Sequence, residues 1–321
     1  MGIKVKLKMS FKKEKKGWTR YLGIILSLAV ISILFTSLNP VFITQRNLIN
    51  IAQQASINAI VALGMTIVII TAGIDLSVGA TVAITSLIVA KTMSTSSIGV
   101  AILIGLIVGI LCGLINGVLV SYVKLQPFLV TLGTMSLFRG LALIFSNGLP
   151  IRDIPASFLT GMNLLNSRIP IPVIIMIVFA LILGLILRYT VLGEYIFAIG
   201  GNEEATRLSG VRVNEYKILA YVISGVACTI AGIIFISRVS VGDPQAGNGY
   251  ELEAIAAAAV GGASLMGGQG SIFGTILGAL LLSAIRNGLT LLNVQSFYQS
   301  VAIGIVILIA ITLDRYTRGN R

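Results

Sequence analysis

Ten apolar runs make up most of this chain, at 21–38, 52–72, 76–92, 98–121, 127–146, 170–187, 216–237, 251–267, 271–291 and 296–313, with short polar joints between them. Crossing the hydrocarbon core of a bilayer takes about 20 mainly apolar residues in a helix. Backbone N–H and C=O groups have no water to bond there, so each run is read as a helix that satisfies its own backbone. The 321 residues are 56% hydrophobic and only 11% charged, whereas soluble domains carry about 25% charged residues. The expectation is an all-α, polytopic integral membrane protein with about ten transmembrane helices. An ordinary soluble enzyme is excluded, because a water-facing surface of this size needs charge.

The position of the charges says more than their net value of +12. The first twenty residues hold Lys4, Lys6, Lys8, Lys12, Lys13, Lys15, Lys16 and Arg20 against Glu14. Basic residues beside a first membrane helix mark the cytoplasmic side. This cluster abuts an apolar run and has little aromatic interleaving, so it is read as an anchor at the membrane lipid and not as a nucleic-acid arm. Nor is it expected to be a cleaved leader, since the run ends in Ser37-Leu38-Asn39-Pro40 and not in a small-residue cleavage site.

With the N-terminus inside and ten spans, sixteen basic residues fall on the cytoplasmic side. They are the eight just named, Lys124, Arg188, Arg207, Arg212, Lys217, Arg315, Arg318 and Arg321. Arg46, Lys91, Arg152, Arg168 and Arg238 fall outside, and Arg139 and Arg286 lie within spans. This asymmetry predicts both termini cytoplasmic. The organisation is a basic segment at 1–20, a transmembrane domain at 21–313 with a cytoplasmic loop at about 188–215, and a tail at 314–321. The longest hydrophilic stretches, 147–169 and 188–215, are too short for an independent core. Energy for any transport must therefore come from an ion gradient or from another chain.

Catalytic and cofactor signals are absent. There is no His, and Cys112 and Cys228 sit inside apolar runs as small packing residues. A phosphate-binding loop needs a Gly-Lys pair, and none occurs. The glycine-rich stretch from Gly261 to Gly270 is read instead as a tight turn with close helix packing. No cofactor or metal is expected, and no catalytic residue.

The segment Gly200–Gly210 carries more information. Asn202 is a good N-cap, and Glu203 and Glu204 suit the positive end of a helix dipole. Ala205 and Thr206 continue the helix, and Arg207 and Leu208 fill its last turn. After Ser209, Gly210 can take the left-handed position that ends it. Gly201 and Gly210 are expected to allow the turns at the two ends. Helices this short are marginal alone in water, so the segment should dock on the membrane domain or on another protein.

Polar residues within apolar surroundings form the second group of candidates. Asp75, with Ser77, either caps the helix that follows or belongs to a polar pathway. Asn58, Asn116, Arg139, Arg286 and Asn287 either line a hydrated path or hydrogen-bond between helices. Glu251 and Glu253 are read as first-turn acids. A short repeat pairs Asn116-Gly117 through Gly133 with Asn287-Gly288 through Gly304, five spans apart and so in opposite topology, as transporter repeats often are.

Asn58-Ala59-Ile60 with Gly64-Met65-Thr66, and Gly73-Ile74-Asp75-Leu76-Ser77-Val78-Gly79, resemble the permease subunits of bacterial sugar ABC importers of the ribose type. So do Gly200–Gly210 and Gly249-Tyr250-Glu251-Leu252-Glu253-Ala254-Ile255-Ala256. The similarity runs from about Asn39 to Asp314. It implies a second permease subunit, two cytoplasmic ATP-binding subunits and an extracytoplasmic sugar-binding protein in a bacterial cell membrane. It also implies that Gly201–Gly210 couples the permease to the ATPase. The rival class is a secondary carrier driven by an ion gradient. Such carriers place ionisable groups near the bilayer midplane, whereas the acids here are expected at span ends or in loops.

Overall fold

The computed structural model describes residues 19–163 and 170–305. The basic segment before Thr19, the tail at 314–321 and part of the 147–169 joint lie outside the described residues. The described helices are α1 (Thr19–Leu38), α2 (Gln45–Ile70), α3 (Val78–Met93), α4 (Ile98–Ser121), α5 (Pro127–Ser146), α6 (Ala156–Asn163), α7 (Ile171–Tyr189), α8 (Val191–Gly201), α9 (Glu203–Leu208), α10 (Val213–Val239), α11 (Tyr250–Val260) and α12 (Ile272–Leu291). A further helix starts at 296 and continues to 305, the last described residue. No strand occurs among the described residues apart from one isolated bridge between Ile151 and Gly242.

Local sequence sets several boundaries. The Ser97 hydroxyl accepts from the Val100 amide to start α4. Pro127 occupies the first turn of α5, where its missing N–H costs nothing. Asn147 ends that helix in the left-handed region at φ 51°. The spans expected at 98–121 and 127–146 match α4 and α5 at both ends.

Seven of the described helices are long and apolar enough to cross a membrane: α1, α2, α4, α5, α7, α10 and α12. Of the other expected spans, 76–92 is the 16-residue α3, and 296–313 runs past the described residues. The span expected at 251–267 is the 11-residue α11, about 16 Å long at 1.5 Å per residue. It stops where Gly261 and Gly262 turn the chain, with Gly261 pressed against the backbone of Gly274 in α12. The 188–215 stretch is more helical than a plain connecting loop. It contains α8, an apolar helix that buries Gly193, Ile196 and Ile199, as well as the expected two-turn helix.

α2 lies at the centre of the bundle, buried along nearly its whole length from Ala55 onward. α10, α12, α11 and α7 pack around it, and α3 packs on α10, α4 and α5. The tightest pairing is between α4 and α10. Gly105, Gly109, Gly113 and Gly117 recur every fourth residue along α4, so they lie on one face. A Cβ at Gly117 would meet Ile218 Cα at 2.7 Å, and one at Gly113 would meet Val222 Cα at 2.7 Å. Apolar side chains gain nothing by leaving lipid for a helix interface, so close backbone approach of this kind drives association in a bilayer. The outer faces of α4, α5 and α7 expose Leu111, Leu129, Leu137, Leu181 and Leu185, as a lipid-facing surface requires.

Contacts between helix ends define the two ends of the bundle. Lys217 of α10 bonds Glu203 of α9, and the Gly268 amide donates to the carbonyl of Ile70 at the end of α2. At the opposite end, Arg238 of α10 bonds Asn50 of α2, and Asn287 of α12 bonds Asn47.

Candidate functional site

At the first end, α8 and α9 form an angle bracket. Asn202, extended at φ −159°, accepts the Ala205 amide on its side-chain oxygen at 2.9 Å, which caps α9. Glu203 receives Arg207 at 2.6 Å and Lys217 at 3.0 Å, so one carboxylate ties the short helix to its own last turn and to α10. Thr206 is buried and bonds back to the Asn202 carbonyl. Glu204 and Leu208 point outward, Leu208 with 80% of its surface free. Gly210 ends the element at φ +85°, where a side chain would be strained.

The glycine expected to turn the other end behaves differently. Gly201 is the last residue of α8, and a Cβ there would meet nothing within 4 Å. The demand for glycine falls on Gly200, where a Cβ would collide with the Ile70 carbonyl and the Gly268 amide. The glycine-rich turn after α11 therefore seats the joint of the bracket against the end of the central helix. Gly262, Gly267 and Gly268 all have positive φ within it.

Inside the bundle, three of the polar candidates meet. Asp75 is 3% exposed, in the break between α2 and α3. Its Oδ1 accepts from the Ser77 amide at 3.0 Å and from the Ser77 hydroxyl at 2.6 Å, and its Oδ2 accepts from Ser224 of α10 at 2.9 Å. Asn116 of α4 donates to Ser77 Oγ at 2.8 Å and lies 3.4 Å from Asp75 Oδ1. Thr134 of α5 donates to Asn116 Oδ1 at 2.6 Å. The result is a directed chain, Thr134 to Asn116 to Ser77 to Asp75, which together with Ser224 ties α5, α4, α3 and α10 to one side chain. No described cation pairs with that side chain; its hydrogen bonds to Ser77 and Ser224 and the N-terminal end of α3 offset its burial. The sequence did not single out Ser224 or Thr134.

The other four candidates, Asn58, Arg139, Arg286 and Asn287, sit apart. Asn58 donates to Glu253 of α11 at 2.7 Å, and Arg286 of α12 pairs with the other oxygen of Glu253. Glu253 does lie in the first turn of α11, but its side chain is buried and serves this cross-helix contact. Asn287 and Asn47 exchange two hydrogen bonds, at 2.8 and 3.0 Å. Arg139 of α5 donates to the carbonyls of Pro244 at 2.6 Å and Ala246 at 2.9 Å, and so fixes the loop that leads into α11. Asp75 and Glu253, expected at span ends or in loops, are thus both buried. The physical reason is that α3 and α11 are short and begin inside the bundle. Both Asn-Gly pairs of the repeat act alike: the Asn bonds across to a neighbour while the next Gly admits Ile218 or the Phe35 ring.

Residues 47–311 match the family described as branched-chain amino acid transport system / permease component. The chain is 43% identical over 304 residues to the ribose import permease protein of Haemophilus influenzae, covering 92% of each chain. It is 44% identical to the ribose import permease protein of Bacillus subtilis, over 93% of this chain and 94% of that one. The D-allose transport system permease protein of Escherichia coli is 37% identical over 98% of this chain and 99% of its own. No solved structure matches. A multi-pass apolar bundle that matches this family over most of its length, with relatives aligned nearly end to end, belongs to the permease components of transport systems.

Proposed function

We propose that the chain is the membrane-spanning permease subunit of an ATP-binding cassette importer that carries ribose or a related monosaccharide into a bacterial cell. The observation that carries this reading is the end-to-end similarity to relatives named for ribose import. The family description mentions branched-chain amino acids, but the relatives that align over nine-tenths of both chains are named for sugars. The reading includes about ten crossings of the plasma membrane with both termini cytoplasmic, and it includes a second permease subunit across the pathway. A separate ATP-binding subunit hydrolyses ATP, and an extracytoplasmic sugar-binding protein delivers the substrate.

The α9 end faces the cytoplasm in this reading, because Lys124, Arg188, Arg207, Arg212 and Lys217 cluster there. The segment Gly201–Gly210 docks on the ATPase through the outward Glu204 and Leu208. ATP binding biases a two-state bundle through this contact, and the joint at Gly200, Ile70 and Gly268 passes the movement to α2. Of the pathway candidates, Asp75, Ser77 and Asn116 brace the α2–α3 break. Asn58, Arg139 and Asn287 lie toward the opposite half, where sugar enters.

One observation favours a second reading, an ion-coupled secondary carrier: Asp75 is a buried carboxylate without a described cationic partner. Calorimetry on the binding protein encoded with this chain tests the substrate class. Ribose binding is expected, and binding of a branched-chain amino acid with no response to sugars would overturn it. With Cys112 and Cys228 replaced, Arg207→Cys should react with an impermeant thiol reagent only after cells are opened.

A further inference from the structure

At the α9 end, a groove of about 850 Å³ separates α7 from α1 and α12. On one side stand Tyr21, Phe273 and Ile276. The Tyr21 hydroxyl is bonded to Ser271 Oγ at 2.6 Å, and its ring meets Phe273 edge-on at 5.2 Å. On the other side stand Leu181, Gly184 and Leu185 of α7. A Cβ at Gly184 would meet nothing within 4 Å, so no described residue fills the space in front of it. Leu181, Leu185 and Phe273 are exposed along the lips, and the groove therefore opens sideways into the acyl layer.

The mouth is polar. Arg188, in the last turn of α7, is the one charged side chain lining the groove among the described residues, and its guanidinium lies 5.3 Å from the centre of the Tyr189 ring. No described carboxylate pairs with it. In sequence, Arg20, Lys16 and Lys15 closely precede Tyr21. An apolar cleft with an unpaired cation at its interfacial end is complementary to acyl chains bearing a phosphate.

We propose that this groove seats one anionic glycerophospholipid, with its phosphate on Arg188 and an acyl chain between α7 and α12. Charge selects this occupant over the two others at hand. The chain's own N-terminal segment is basic and would add to Arg188, not neutralise it. A second copy meeting this face would bring like charges together. Only the name of the leaflet, cytoplasmic, rests on the orientation proposed above.

The test uses the full chain in nanodiscs of equal parts phosphatidylglycerol and phosphatidylethanolamine, with retained lipid read by native mass spectrometry. Wild type should hold phosphatidylglycerol about fivefold over phosphatidylethanolamine, the ratio equivalent to about 1 kcal/mol for one basic contact. Arg188→Gln should bring that ratio close to one while the N-terminal cluster stays in place. Gly184→Phe should remove the retained lipid by filling the groove, with helical content unchanged. Equal ratios in wild type and Arg188→Gln would overturn the site. So would a Gly184→Phe chain that keeps its lipid but loses self-association, since the groove would then be a subunit face. Neither readout involves ATP or sugar, so failure here is distinct from failure of the transport reading.

Discussion

The backbone amide of Gly268 donates to the carbonyl of Ile70 at 2.9 Å, and Gly200 lies against the same carbonyl. The last turn of the central helix, the glycine-rich turn and the joint before α9 therefore share one backbone contact. Gly200→Ala should push these elements apart and lower stability by about 1–3 kcal/mol, the usual cost of overpacking. Gly201→Ala, one residue on, meets open space and should unfold like wild type. Thermal unfolding of both variants in the same detergent checks the contrast.

Gly210 is the second backbone position with a clear demand. Its φ of +85° makes a β-branched residue strained by about 1–3 kcal/mol. Gly210→Val should insert at normal levels but fail to raise the partner's ATPase activity with substrate. Glu204→Arg should do the same in part. Its dipole effect alone is only about 0.3–1 kcal/mol, so a large transport loss would point to the docking surface. ATPase assays with and without loaded binding protein check both variants, and normal stimulation in both would leave α9 as a plain connecting loop.

Asp75 accepts bonds from Ser77 and Ser224 inside the buried core. Asp75→Ala leaves those buried donors unpaired, at about 1–3 kcal/mol each. Asp75→Asn keeps an oxygen toward Ser77 and turns an amide toward Ser224, whose hydroxyl can rotate to accept. The Asn variant should therefore retain most of the wild-type unfolding temperature, and the Ala variant should lose much more. Equal losses would show that the charge, and not the bonding pattern, holds the α2–α3 break.

Glu253 and Arg286 make a cross-helix pair in a largely buried setting. Removing one partner, as in Arg286→Met, strands the other and should cost about 3–5 kcal/mol. The double variant Glu253→Gln with Arg286→Met should recover a substantial part of that loss. Asn58 still finds an amide oxygen to bond after the Glu253→Gln change, so it should not add to the loss. A double-mutant cycle by thermal unfolding measures the coupling.

What could be read from sequence was what is written locally. Ser97, Pro127 and Asn147 mark their helix ends with their own backbone chemistry, and Asn202 through Gly210 spell out both caps of α9. The length of α11 was not legible, because Gly261 and Gly262 read equally well as packing or as a stop. α8 was hidden because its eleven residues contain Glu194 and follow closely on Arg188, which breaks the apolar count. Partners across the bundle were beyond local reading altogether. That Asn116 meets Ser77 and Thr134, or that Asn287 meets Asn47, depends on which helices lie side by side. The same tertiary fact turns Asp75 and Glu253 from span-end acids into buried ones.

The central claim is ATP-driven sugar import through this chain. Uptake of labelled ribose should be measured in vesicles that contain the permease, its ATP-binding subunit and the binding protein, with ATP supplied on the side of α9. Uptake that requires all three partners and ATP, and that ignores imposed proton or sodium gradients, is the predicted result. Uptake driven by an ion gradient with the ATPase absent would contradict the account.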